Sequence, residues 1–344
     1  MPDRRIRPLI VPIFIPNLGC PHRCIFCEQQ RITSQAAQKI NGERVKDVLE
    51  TAVRSNKFDR RLGPEVAFYG GTFTNLPISL MLSLLKAVAP YLDQGLFSSI
   101  RVSTRPDAVD EGCLRLLWEN GVRTVELGVQ SMDERVLILS KRGHLPDHTV
   151  KAVRLLKDYG FRVGVQLMPG LPGDSREIFY STVTRVLDLR PDMVRLYPAL
   201  VIRGTDLADL YEQGGYQPLG LKEAIDICSD SCIRLESDGI PVIRIGLMSS
   251  PSLIEEGQII SGPWHPAFGF LVRSDIYHKK ITPLLPGYGD SARIRIVASQ
   301  KDISLLRGYK NQGLEAIRKS TGAEIIKIEI DDTIPLGGIR VENI

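Results

Sequence analysis

Cysteine is scarce in this chain, with six in 344 residues, and so few exclude a small disulfide-dense scaffold. No apolar run approaches the roughly 18 residues needed to cross a bilayer. The nearest candidate, Pro8 to Leu18, is interrupted by Pro8, Pro12 and Pro16 and lacks a small-residue cleavage site. Neither a signal peptide nor a membrane span is expected, and a cytoplasmic protein is the default. Fixed-period repeats and low-complexity segments are also missing, which excludes solenoids and fibrous chains. Charge of neither sign dominates, with 44 basic against 40 acidic side chains. What remains is an ordinary globular composition, 43% hydrophobic and 24% charged. The length suggests about two domains, or one large domain with an appendage.

The charge is nevertheless uneven. Residues 1–61 carry 12 basic and 6 acidic side chains, so the remainder is slightly acidic. A basic front end attracts a polyanion such as RNA. It is equally the mark of a solvated, arginine-rich surface, and charge alone does not choose between them.

From residue 8 to about 202, short β-rich runs alternate with amphipathic helical stretches. The strand-like runs are Leu9–Ile15, Glu65–Tyr69, Ser99–Ser103, Thr124–Val129, Arg162–Leu167 and Met193–Pro198. Helical periodicity falls near 43–57, 77–92, 109–120, 147–159 and 174–189. Asp147 and Asp174 read as start signals, Gly121 and Gly160 as stops. Such alternation predicts a parallel sheet with right-handed crossovers. Six βα units are too few for a closed eight-fold barrel, so a partial (βα)6 barrel and a doubly wound sheet both fit; either binds ligands at the carboxyl ends of its strands. Beyond 202, residues 205–239 read as one or two helices and Pro241–Leu247 as a strand. A Gly/Pro-rich stretch runs from Gly257 to Gly269, and Gly287–Gly289 reads as a linker. The tail reads as strand (292–298), helix (302–320) and two strands (324–330, 338–342), a small α+β appendage. The expected division is therefore 1–250 for the core and its helical extension, 251–286 for a junction, and 287–344 for the C-terminal domain.

Three cysteines crowd the loop after the first strand, Gly19-Cys20-Pro21-His22-Arg23-Cys24-Ile25-Phe26-Cys27. Three thiolates this close on one loop can hold three corners of a cubane iron–sulfur cluster. With no fourth cysteine nearby, one iron would stay open to bind a small molecule directly. The alternative is structural zinc with His22 or a distant histidine as fourth ligand. Zinc loops usually pair two ligand couples, and none is evident here.

The later strand ends carry polar motifs. Gly70-Gly71-Thr72 follows the second strand, where two glycines let the backbone approach a ligand closely. Gln130 and Gln166 end the fourth and fifth strands, and an amide there suits a ribose. Arg142, in the basic patch Lys141-Arg142-Gly143-His144, suits a carboxylate. Ordinary hydrogen bonding at a barrel rim is the plainer account of each taken alone.

With Phe26 before its last cysteine, the loop resembles the signature of the radical S-adenosylmethionine (SAM) superfamily. The resemblance implies a 4Fe-4S cluster on Cys20, Cys24 and Cys27, with SAM chelating the fourth iron and Phe26 packing near its adenine. Gly70, Gly71 and Thr72 resemble the element that meets the SAM amino group, and Ser103, Gln130, Arg142 and Gln166 complete the implied SAM contacts. The implied chemistry is reductive cleavage of SAM to a 5′-deoxyadenosyl radical, fed by a low-potential donor of the flavodoxin or ferredoxin type.

Phe68–Phe73, Val102–Asp107, Glu126–Ser131, Arg142–His144, Met168–Gly173 and Tyr197–Thr205 further resemble the radical SAM half of the elongator catalytic subunit, a modifier of transfer RNA wobble uridines. That implies RNA, and tRNA in particular, as substrate. The cysteine spacing is instead similar to oxygen-independent coproporphyrinogen oxidase, and no acetyl-CoA loop is found in 250–344. Two other classes stay open: radical chemistry on a small anionic metabolite such as a tetrapyrrole, and an iron–sulfur or heme-handling protein that binds SAM without turnover.

Cys228 and Cys232, one helical turn apart, read as packing groups, as does Cys113. The loop holding Trp264, His265 and Phe268 reads as a lid over the barrel or as a packed turn. Arg105 and Arg203 read as ligands for phosphate or carboxylate, or as partners of rim acids.

Overall fold

The computed structural model describes residues 9–33, 40–248 and 250–344. Of the basic front end, Arg4, Arg5, Arg7 and Lys39 lie outside the described residues. The chain divides into two compact units. One is formed by the described residues up to Leu221 with Leu235–Trp264, the other by Lys222–Arg234 with His265–Ile344.

The first unit is built on β1 (Ile10–Phe14), β2 (Glu65–Tyr69), β3 (Ser99–Thr104), β4 (Val122–Gln130), β5 (Arg162–Leu167) and β6 (Met193–Leu196). Two short strands follow, β7 (Val201–Ile202) and β8 (Val242–Ile245), and then β9 (Ile259–Ser261), which pairs antiparallel with β7. The main sheet runs β1-β2-β3-β4-β5-β6-β8, parallel throughout. Sheet neighbours are sequence neighbours, so each crossover turns the same way and the strand order never reverses. A doubly wound sheet requires that reversal. The fold is therefore the α/β partial barrel, open between β1 and β8. The strand read at 241–247 as lying outside the six units is its seventh strand.

Interior strands are buried on both faces, with Val66, Ala67, Phe68, Val102, Val125, Leu127 and Val163 fully covered. The helices between them present one apolar stripe each; Leu114 and Leu117 bury that of Glu111–Glu119. Side chains close their amino ends: Asp110 accepts from the Cys113 N–H, Asp133 from Val136 and Ser175 from Ile178. Two start signals fall one place off. Ser175, not Asp174, caps Arg176–Leu189, and Asp147 sits inside Pro146–Asp158 behind Leu145. Among the described residues no helix is long and apolar enough to cross a membrane.

The second unit carries β10 (Arg293–Ala298), β11 (Glu324–Ile330) and β12 (Arg340–Asn343). Its central β10 is parallel to β11 and antiparallel to β12. Ile294, Ile296 and Ala298 pack with Tyr277, Ile281, Leu314 and Ile317 of the helices Phe268–Ile281 and Gln312–Thr321. The single helix expected over 302–320 is broken, because Lys310 and Asn311 take φ of 50° and 64°. Ion pairs lace the sheet's charged residues: Arg295 with Glu342 at 3.2 Å, Lys327 with Glu329 at 2.6 Å and Arg340 with Asp331 at 3.5 Å. His265 packs edge-on against Tyr309 within this unit, ring centres 4.8 Å apart.

Candidate active site

A cavity of about 500 Å³ opens at the carboxyl ends of the barrel strands. Cys20, Cys24, Phe26 and Cys27 line it from the loop after β1, and Gly70, Gly71 and Thr72 from the loop after β2. Ser103 reaches it from β3, Gln130 and Gln166 from the ends of β4 and β5, and Arg142 from the loop beyond β4. All the residues singled out in the sequence for cluster or cofactor thus share one wall-to-wall space.

Backbone contacts hold the cysteine loop. The Asn17 N–H donates to the Gly70 carbonyl at 2.8 Å and the Thr72 N–H to that of Leu18 at 2.9 Å. A Cβ on Gly71 would stand 2.4 Å from the Leu18 oxygen and 2.7 Å from that of Ile15. The glycine pair is there at least as much to let two loops touch as to admit a ligand. Within the cysteine loop the Cys27 N–H donates to the Cys24 carbonyl at 3.0 Å. Cys20 Sγ lies 3.3 Å from Thr72 Oγ1 and Cys27 Sγ 3.7 Å from Asn17 Oδ1.

The electrostatics centre on Arg142, only 6% exposed. Its Nη1 donates to Cys24 Sγ at 2.8 Å and its Nη2 to the Gly128 carbonyl at 2.5 Å, while Nε is buried without a partner among the described residues. Burial, reinforced by Cys24 and Cys20, pushes the Cys27 thiol up to about 12. Three neighbouring thiolates are therefore costly by themselves. A buried guanidinium and a bound cationic centre offset that cost. Thiols beside a fixed cation are a set able to hold a 4Fe-4S cluster, and Cys20, Cys24 and Cys27 are the candidates here.

Among the described residues, no three metal-ligating side chains converge on a single-ion site. His22, the fourth ligand of the zinc alternative, is engaged elsewhere: its Nε2 lies 3.1 Å from the Arg142 carbonyl oxygen and 3.1 Å from Arg105 Nη1.

Some sequence readings change. Both ends of the Arg142 fork are spent on Cys24 and Gly128, so a bidentate grip on a carboxylate is not open to it as placed. Residues 141–144 are not a basic patch. Lys141 is exposed and paired with Asp206 at 2.8 Å, and burial, with Arg142 next, drops His144 to about 3, leaving it neutral. Arg105 is clasped by Asp107 at 2.8 Å, and Arg203 is exposed, donating to the Gly257 carbonyl at 2.8 Å. Gln166 Nε2 donates to Gln130 Oε1 at 3.2 Å, so the two amides form one unit; Gln130 holds φ of 67°. Cys228 and Cys232 are fully buried, and burial raises the Cys228 thiol well above its usual range. Burial likewise pushes Cys113 up to about 12.

Sequence reasoning missed the polar floor of the cavity. Glu126 accepts from Arg101 Nη1 at 2.6 Å, from Arg195 Nη2 at 2.9 Å and from the Tyr69 hydroxyl at 2.9 Å, and pairs with Arg195 Nε at 2.6 Å. Burial raises the carboxyl, but Arg195 and Arg101 outweigh it and hold Glu126 below its usual value. Gly164, beside Glu126 in register, leaves room for this side chain, since a Cβ there would meet Glu126 Cγ at 2.9 Å. A signal was present: charged residues at 65, 101, 126 and 195 interrupt strands that a parallel barrel buries.

A partial parallel barrel with a thiol triad at the carboxyl ends of its strands defines a class of cluster-dependent enzymes. The sequence matches the Radical SAM superfamily over residues 14–186 and the Radical_SAM C-terminal domain over 191–278. The chain belongs to the radical SAM superfamily, whose members bind a 4Fe-4S cluster and SAM, and it is an enzyme of that class.

Among curated relatives, the tRNA uridine(34) acetyltransferase of Methanocaldococcus infernus is 30% identical over 257 residues, 64% of this chain and 48% of that protein. Elongator complex protein 3 of Homo sapiens is 30% identical over 183 residues, 47% of this chain and 34% of that protein. The solved structure of the archaeal Methanocaldococcus infernus Elp3 with an N-terminal deletion superposes with a TM-score of 0.60 at 25% identity, covering 79% of this chain and 63% of that one. The chain thus spans about half the length of the uridine(34) acetyltransferase it matches.

Proposed function

We propose that this enzyme cleaves SAM reductively at a 4Fe-4S cluster on Cys20, Cys24 and Cys27 and directs the resulting radical to RNA, with tRNA as substrate. When bound, cluster and SAM together supply a 5′-deoxyadenosyl radical that abstracts hydrogen from an unactivated carbon. The chain's own residues hold and shield. Arg142 neutralises thiolate charge at Cys24, Phe26 and Met168 give the cavity apolar walls, and the Gln130–Gln166 amide pair offers donors and acceptors suited to a ribose. Gly70, Gly71, Thr72 and Ser103 are proposed to complete the SAM contacts. A low-potential flavodoxin- or ferredoxin-type partner is proposed as electron source, and the cytoplasm as the setting.

The observation that carries this reading is the gathering of three thiols, the buried Arg142 and the paired amides around one cavity. What supports tRNA is the activity for which the uridine(34)-modifying relatives are named, together with the basic excess of residues 1–61. Acetyl transfer, named in those relatives, is not part of the proposal. The test is anaerobic reconstitution and reduction with SAM, scored by 5′-deoxyadenosine, and filter-binding to total tRNA across a salt series. Expected are 5′-deoxyadenosine formation, lost in Cys24→Ala, and a steep fall in tRNA affinity with salt. A flat salt response sinks the RNA part, and no 5′-deoxyadenosine after full reduction sinks the radical part.

A further inference from the structure

The arginines lining the cavity are unequal. Arg142 is committed to Cys24 and Gly128, Arg105 to Asp107, Arg195 to Glu126 and Tyr69, and Arg23 faces Glu28 at 3.8 Å. Arg244, on β8, is different. Its only contact among the described residues is a long one, Nε to the Gly246 carbonyl at 3.3 Å, and no carboxylate there pairs with it. Among the described residues neither of its Nη groups has a partner, and the side chain is half-buried on the cavity wall.

Its neighbours are placed by the sheet. Arg195 and Arg244 stand in register on β6 and β8, and Gln166 continues the row on β5. One step toward the mouth, Tyr197 also lines the cavity. Gly246, which draws Arg244 Nε toward it, donates its own N–H to Leu196, the residue before Tyr197. The Tyr197 oxygen already accepts from Arg195 Nη1 at 3.1 Å. Its O–H is therefore left to donate, polarised by a cation behind it. A guanidinium fork and a polarised phenol lining one cavity are a donor set for an oxyanion. A half-buried guanidinium is well matched to an oxyanion, which its planar fork can grip with two hydrogen bonds.

Resting on the reading of this cavity as the active site, we propose that Arg244 and the Tyr197 hydroxyl form a substrate subsite for an oxyanion, a phosphate or a carboxylate. Arg195, locked by Glu126, is its positioning residue. The subsite lies on the last strands of the barrel, whereas the cysteines follow the first. It thus anchors the substrate from the side of the cavity that the cysteine loop does not supply.

The test is equilibrium dialysis of the reconstituted protein, with SAM present, against labelled inorganic phosphate in one arm and labelled acetate in the other. Saturable binding in at least one arm is expected, and the arm that binds identifies the anion. Arg244→Gln should weaken it at least about ten-fold, and Tyr197→Phe about three-fold. Arg244→Lys should retain an intermediate affinity, and exposed Arg203→Gln should match the wild type. Iron and SAM content are measured on the same samples. Loss of anion binding by Arg244→Gln with iron and SAM intact supports the subsite. Wild-type binding by Arg244→Gln, absence of saturable binding in both arms, or competition between anion and SAM overturns it. Absence of iron and SAM from the wild type would instead refute the functional reading, while the anion measurements would still report on Arg244.

Discussion

The guanidinium of Arg142 donates to Cys24 Sγ at 2.8 Å across 118 residues of sequence, joining the loop after β4 to the cysteine loop after β1. Its position makes this arginine part of the thiolates' surroundings rather than a peripheral ligand contact. Replacing it by methionine keeps apolar bulk and deletes the charge. Arg142→Met is expected to retain less than about half the wild-type iron and sulfide after reconstitution, because an uncompensated thiolate at a buried site is disfavoured. Iron and sulfide assays check this. Full occupancy would mean that the cation is incidental to holding the cluster.

A second prediction concerns the cavity floor. Glu126 bridges Arg101 and Arg195 and accepts from Tyr69, all in a buried setting. Removing its charge strands Arg195, whose other polar partners are phenols. Breaking one partner of a buried ion pair costs about 3–5 kcal/mol. Glu126→Gln should lower the melting temperature by about 10 °C. The double variant Glu126→Gln with Arg195→Met should recover part of the loss, since the orphaned charge is gone. No recovery would show that shape, not charge, sets the cost.

The third prediction is a pH dependence. Burial, with Arg142 next, holds His144 at about 3 in the folded chain, against an ordinary value of 6.5. The folded group is thus depressed: below pH 6.5 the unfolded chain takes up a proton that the folded chain refuses. Its contribution is present above pH 6.5 and is lost as pH falls toward about 3. The loss is about 1.4 kcal/mol per pH unit at most. His144→Gln should flatten the acid limb of a stability profile between pH 6 and roughly pH 4 by close to one proton. An unchanged limb would place the acid sensitivity elsewhere.

How much of this was open to the sequence depends on chain separation. Cys20, Cys24 and Cys27 were legible because eight residues of covalent chain enforce their closeness, and Gln130 and Gln166 because each ends a β-rich run. The Glu126–Arg195 pair was not, since 69 residues separate its members and only register brings them together. Arg142 was legible as a cavity residue but its contacts to Cys24 and Gly128 were not, because spacing cannot show which groups a fork already holds. The helix Phe268–Ile281 went unread, as its buried residues do not keep to one stripe. Asp174 looked like a cap, yet its carboxylate accepts from Gly170 and Ser175 N–H groups at 2.9 and 3.0 Å, leaving the cap to Ser175.

The last prediction separates the scaffold of the cysteine loop from its ligands. Gly71 has no side chain to ligate anything, but its α-carbon faces the carbonyl oxygens of Leu18 and Ile15, where a methyl would come within 2.4 and 2.7 Å. Both obstacles are backbone, so neither can rotate away. The strain must be relieved by moving the cysteine loop or the loop after β2. Gly71→Ala should therefore lower iron and sulfide content although every thiol is intact. Gly95→Ala, with open space at its Cβ but φ of +64°, should cost stability without affecting iron. If instead Gly71→Ala holds a complete cluster and loses only SAM affinity, the glycine serves the ligand, and the loop-to-loop account of the pair is wrong.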